Sequence, residues 1–137
     1  IMERCVVKLK SDSDAQKKTE RYQGVAYAAA KQSQRGVVPL VEPPIPFAQA
    51  VARMKDYDLS FLPYENENGT SIKTILDRAD GVKTAAFLIG PEGGISEKEL
   101  ALAAENAIET VTLGKRILRT ETAGEAVLAM MNYAFFL

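Results

Sequence analysis

An uncharged apolar run, Ala85–Ile89, stops at Gly90-Pro91-Glu92-Gly93-Gly94, and Ser96 and Glu99 follow with S-x-x-E spacing. Each part restricts the backbone in its own way. The run has the length and composition of a strand buried on both faces. Pro91 fixes φ and carries no N–H, while the glycines permit positive φ and close approach of a ligand to the main chain. Ser96 with Glu99 forms a capping box, which opens a helix. Strand, glycine-rich turn and helix N-terminus together describe the carboxyl edge of an open α/β sheet, where ligands bind. An ordinary strand-to-helix turn is the alternative.

The same order recurs downstream. Ile108–Leu113 alternates apolar residues with threonines and predicts a strand that Gly114 ends. Arg116 and Arg119 flank Ile117-Leu118. Thr122 and Glu125 form a second S/T-x-x-E pair, predicting a last helix over Thr122–Phe136. That helix is apolar nearly all round, with Ala123, Ala126, Val127, Leu128, Met130, Met131, Phe135 and Phe136. It is therefore expected to be covered on more than one side, by its own sheet and by a partner subunit.

The rest of the chain alternates strands and helices. Arg4–Leu9 predicts a strand and Asp14–Gln34 a long helix ended by Gly36. Tyr22, Val25, Ala26 and Ala29 are expected on the core face of that helix, with Lys17, Arg21, Gln32 and Arg35 on a basic face. Val37–Val41 predicts a strand. A helix from Pro46 to Lys55 turns Phe47, Ala50, Val51 and Met54 inward. Leu59–Tyr64 predicts a strand, Glu65–Gly69 a turn-rich loop, and Thr70 or Ser71 the cap of a helix to Ala79. The whole predicts one α/β domain over residues 1–137, a mostly parallel sheet with helices on both faces.

There is no histidine, so general base work falls to carboxylates, lysine or tyrosine, and no metal is expected. One cysteine, Cys5, makes no internal disulfide and suits a reducing cytoplasm; it is expected to be structural. No run is apolar enough to span a bilayer. Net charge is −1, divided as eight basic and four acidic residues in 1–36 against nine and fourteen in 37–137. Phosphate binding depends on Lys and Arg, so only the first portion favours RNA. Neither a G-x-G-x-x-G fingerprint nor a Walker loop is present, which argues against Rossmann-type enzymes and NTPases.

Leu-Ile-Gly-Pro-Glu-Gly-Gly at Leu88–Gly94, with Leu-Gly-Lys-Arg-Ile-Leu-Arg-Thr-Glu-Thr-Ala at Leu113–Ala123, resembles the bacterial 16S ribosomal RNA uridine-N3 methyltransferase family. Glu3–Lys8 and Ala30–Pro39 resemble two further signatures of that family. The resemblance implies the SPOUT class: an S-adenosyl-L-methionine cofactor, a C-terminal trefoil knot, a homodimer, and a substrate in the small ribosomal subunit. It places Gln32 and Arg35 near substrate. Family members carry an N-terminal PUA-like β-barrel, and this chain is expected to start about where that domain ends.

For such a cofactor, three loops fit, because glycines let main-chain groups reach an adenine. They supply Leu62, Tyr64 and Glu65; Ile89, Gly90, Pro91, Gly93 and Gly94; and Leu113, Gly114, Ile117, Leu118, Arg119 and Thr120. Uracil N3 is a poor nucleophile until its proton leaves, so a base or a cation that holds the anion is needed. Glu92, Glu121 and Glu65 are the candidate bases, Arg119 and Arg35 the candidate cations. Glu92 and Glu121 as loop-fixing acceptors are the alternative. Another base or a ribose hydroxyl in tRNA or rRNA is the nearest alternative target. A non-catalytic RNA-binding or assembly module is the alternative of a different class.

Overall fold

The computed structural model describes residues 1–6 and 8–136, the side chain of Phe136 excepted. It divides into a unit of Ile1 and residues 7–45 and a unit of residues 2–6 and 46–137.

The first unit is built on helix α1, Asp12–Gln32. Ser11 caps it by accepting the Asp14 N–H at 3.2 Å, and Asp12 and Asp14 in the first turn favour its N-terminus electrostatically. The helix stops before Gly36. Gln34 takes φ 55° and the Arg35 N–H returns to the Ala30 carbonyl at 2.9 Å, a left-handed C-terminal turn made without glycine. The expected core face is not the buried one. Tyr22, Val25 and Ala29 are exposed, whereas Ala30 is buried and Gln23 and Ala26 half-buried. An alanine-rich helix has few large side chains to fix its rotation, and the polar Gln23 fixes it instead. The Gln23 amide donates to the Pro39 carbonyl at 3.0 Å and accepts the Val41 N–H at 2.8 Å. Those bonds tie residues 39–41 to α1 as an irregular segment, not the strand expected at Val37–Val41. Of the strand expected at Arg4–Leu9, Val7 lies outside the described residues and the others join no ladder.

The second unit is a three-stranded parallel sheet in the order β2-β1-β3. Chain order is α2 (Phe47–Met54), β1 (Leu59–Pro63), α3 (Ile72–Asp77), β2 (Ala85–Phe87), α4 (Glu97–Glu105), β3 (Glu109–Val111) and α5 (Thr120–Phe136). Successive side chains of a strand face opposite ways. Leu62 points to one core with Phe47, Val51 and Met54 of α2, Ala103 of α4, and Ile95 and Ile108. Phe61 points to the other with Ile72 and Ile75 of α3, Val111, and Val127 of α5. Helices thus cover both faces. Fully burying side chains such as Leu62 and Phe61 contributes about 1.5–3 kcal/mol each.

Central burial falls on β1, not on β2. Ala85–Phe87 is only half-buried because β2 pairs with β1 on one side and stands at the edge of the sheet among the described residues. Phe87 lies in register with Phe61, and their rings stack at 5.7 Å. The last helix begins at Thr120, two residues earlier than expected. The Ala123 N–H bonds the Arg119 carbonyl at 2.8 Å, so Thr122 and Glu125 lie inside the helix and form no cap.

Candidate active site

All three strands deliver their carboxyl ends to one edge, and the sheet order makes β1 the switch point between its neighbours. The loop after β1 is stitched alongside the extension of β3. Tyr64 N–H bonds Val111 at 2.9 Å, Thr112 N–H bonds Thr70 at 2.8 Å, and Ile72 N–H bonds Thr112 at 3.0 Å. Ser71 then caps α3 by accepting the Thr74 N–H at 3.1 Å.

The loop after β2 is fixed at its far end by the expected capping box. Ser96 Oγ accepts the Glu99 N–H at 3.2 Å, and Glu99 Oε2 accepts the Ser96 N–H at 3.0 Å. Within the loop, Gly94 has φ 73° and its N–H bonds the Pro91 carbonyl at 2.9 Å. The loop after β3 turns on Gly114 at φ 123°, where an added Cβ would meet no atom within 4 Å. The second and third loops are joined where the Thr120 hydroxyl donates to the Gly90 carbonyl at 3.1 Å.

These loops enclose an open cleft of about 700 Å³, lined entirely by the second unit. That volume lies within the roughly 300–1,000 Å³ of small-molecule sites. Tyr64, Glu65, Ile89, Gly90, Pro91, Glu92, Gly94, Leu113, Gly114, Ile117, Leu118, Arg119, Thr120 and Glu121 all line it. Two residues expected there do not. Leu62 is fully buried beneath the cleft, because a strand residue one place before the carboxyl edge belongs to the core. Gly93 packs against the main chain of Arg4, whose carbonyl oxygen would lie 2.6 Å from an added Cβ. Lys17, Arg21, Gln32 and Arg35 belong to the first unit, and all four are exposed.

Lys115 and Arg116, inside the expected Leu113–Thr120 loop, line the cleft as well, and so do Glu67, Asn68 and Thr112, which lie outside the three expected loops. The signal for Glu67 was faint: one carboxylate in a polar turn. Thr110 Oγ1 donates to its Oε2 at 2.6 Å, and the Gly69 and Thr70 N–H groups donate to Oε1 at 2.7 and 3.2 Å. Those bonds, Thr110 first, hold the Glu67 carboxyl below the usual glutamate range. Glu67 is thus the loop-fixing carboxylate. The side chains of Glu92, Arg119 and Glu121 make no hydrogen bond or ion pair among the described residues.

Loops after three parallel strands, converging on one polar cleft beside the N-terminus of α5, define an α/β domain of switch-point type. Residues 1–132 match the model of a family described as the RNA methyltransferase domain, and the chain belongs to that family. It is 37% identical over 134 residues to the ribosomal RNA small subunit methyltransferase E of Bacillus subtilis, covering 95% of this chain and 52% of that protein. A crystal structure of the Neisseria gonorrhoeae enzyme of the same name, bound to S-adenosyl methionine, superposes with TM-score 0.83 at 36% identity, over 97% of this chain and 52% of that one. A putative methyltransferase from Legionella pneumophila, also with bound S-adenosyl methionine, gives TM-score 0.86 at 29% identity, over 98% and 53%. The chain spans about half the length of the curated relatives it matches.

Proposed function

We propose that residues 1–137 form the SPOUT methyltransferase domain of an enzyme that uses S-adenosyl-L-methionine to methylate N3 of a uridine in 16S ribosomal RNA. The observation that carries this is the cleft walled by Ile89–Gly94 and Thr112–Glu121, two loops joined at Thr120 and Gly90, in a chain of this family. The donor set fits such a cofactor. Gly90, Gly94 and Gly114 bring main-chain groups to the wall, Leu113, Ile117 and Leu118 supply apolar surface, and Glu65 supplies a carboxylate for hydroxyl groups. When bound, the cofactor supplies an electrophilic methyl group.

The chain's own residues have to orient the uracil and take charge of its N3 proton. Arg119 sits at the start of α5, where helical N–H groups point outward and the helix dipole is positive. Both stabilise a uracil anion. Glu121 and Glu92 line the same cleft with carboxylates that make no bond among the described residues, and they are the acceptors offered for the proton. Arg35, on the exposed surface of the first unit with Lys17, Arg21 and Gln32, is assigned to the RNA.

Leu128 and Tyr133 of α5 are exposed while Val127 is buried, so the outward side of the helix carries large apolar residues at its two margins, with Glu125 and Asn132 between them; a homodimer partner is its proposed cover. The trefoil knot of the class is proposed for the Ile89–Gly94 and Leu113–Thr120 loops. No helix among the described residues is long and apolar enough to cross a membrane, and a ribosomal RNA substrate assigns the enzyme to the cytoplasm.

The test is methyl incorporation into small ribosomal subunits, followed by mass spectrometry of the nucleosides. The expected product is N3-methyluridine, and Arg119→Ala, Glu121→Ala and Arg35→Ala lower the rate by more than they weaken cofactor binding. A different methylated nucleoside refutes the assigned target. A variant that works at full rate removes that residue from the mechanism.

A further inference from the structure

Arg4 stands outside the cleft, yet it meets the glycine turn at three points. Its carbonyl oxygen and Cβ close on Gly93, at 2.6 and 2.9 Å from where a Cβ would stand. Its Nη1 donates to the Ile95 carbonyl at 3.4 Å. The same Nη1 lies 3.8 Å from the point a Cβ would take at Gly94, and Glu65 Oε1 approaches that point at 3.2 Å. A cation and a carboxylate therefore flank the Gly94 backbone from two different segments of the chain.

The segment carrying Arg4 is itself anchored. Glu99 is 4% exposed, and its carboxylate does more than close the capping box. Oε2 serves Ser96, while Oε1 accepts the Glu3 N–H at 2.8 Å across 96 residues of sequence. A charge-assisted bond to a buried carboxylate is among the stronger hydrogen bonds available to a main-chain N–H. Glu3 is thereby fixed at the head of α4, and the next residue is delivered onto the turn.

Resting on the reading of the cleft as a cofactor site, we infer that Arg4 is a positioning residue: its guanidinium sets the Gly93–Ile95 turn and, with it, the cleft wall formed by Gly94 and Glu65. The main-chain contact with Gly93 survives any substitution at position 4, so the side chain's own effect is separable. Arg4 carries two separable properties, a positive charge near Gly94 and a donor to the Ile95 carbonyl. Lysine keeps the charge and places one donor less accurately.

The experiment compares the wild-type chain, Arg4→Ala and Arg4→Lys by amide hydrogen exchange without ligand and by calorimetry with S-adenosylmethionine. Arg4→Ala is expected to speed exchange at Gly93–Ile95 at least tenfold, leaving Leu100–Glu105 of α4 as protected as before, and Arg4→Lys restores part of that protection. Cofactor affinity falls about tenfold in Arg4→Ala and less in Arg4→Lys. Unchanged exchange at the turn overturns the inference. So does a rise spread evenly over α4, since Arg4 would then serve the helix as a whole. If the wild-type chain binds no cofactor, the cleft assignment fails, and the exchange data still decide the role of Arg4.

Discussion

The Thr120 hydroxyl donates to the Gly90 carbonyl at 3.1 Å, joining the first residue of α5 to the glycine turn 30 residues earlier. One bond thereby sets the separation of two cleft walls. Thr120→Val keeps the shape and removes the donor, leaving a half-buried carbonyl unpaired. A bond of this kind contributes about 0.5–1.5 kcal/mol. The expected result is a three- to tenfold loss of cofactor affinity by calorimetry, with Thr120→Ser close to wild type. Equal affinity in Thr120→Val would show that the walls are held elsewhere.

Two glycines are expected to fail for different reasons. At Gly93 a methyl group meets the Arg4 main chain, which has little room to give, so Gly93→Ala costs about 1–3 kcal/mol by overpacking. At Gly114 space is open but φ is 123°, so Gly114→Ala carries backbone strain of about 1–3 kcal/mol. Thermal melts should fall by about 3–5 °C per kcal/mol in both. A Gly93→Ala melt at the wild-type temperature would contradict the close approach to Arg4.

The Glu67 brace makes an acid-sensitive loop. Its carboxyl is held below the usual glutamate range by Thr110, Gly69 and Thr70. A depressed pKa means that its stabilisation is complete above the unfolded value, about 4.3, and is lost as pH falls through the lower folded value. Thr110→Val removes the largest cause. Its melting temperature should lie below wild type by a constant amount above about pH 5, and the gap should close as pH falls below about 4. A gap that widens in acid would show that the bonds to Glu67 do not favour its ionised form.

The final helix makes a prediction about assembly. Leu128→Glu and Tyr133→Glu alter exposed positions of α5, not the buried flank at Ala123 and Val127. Light scattering is expected to show a dimer for the wild type and a monomer for the double variant, with the helical signal retained. A wild-type monomer at micromolar concentration would leave the open flank without the proposed cover.

The site was more legible in the sequence than the first 45 residues were. The Gly90–Gly94 turn, its capping box, and the inward Phe47, Val51 and Met54 all rest on strong local signals: glycine, a side-chain cap, and large apolar residues at helical spacing. Helix α1 offered mainly alanines, so its rotation was settled by the Gln23 bonds to Pro39 and Val41, which no periodicity encodes. Thr122–Glu125 had the spacing of a cap but was displaced by a helix that starts at Thr120, where its hydroxyl finds Gly90. The braces at Glu67 and Glu99 join residues far apart in sequence and become visible only in three dimensions.

The most direct test of the account is a titration of the isotope-labelled chain with S-adenosylmethionine, followed by amide resonances. Saturable shifts are expected, confined to three segments: Tyr64–Asn68, Ile89–Gly94 and Thr112–Glu121. Saturable shifts centred elsewhere, or none in a folded chain, would contradict it.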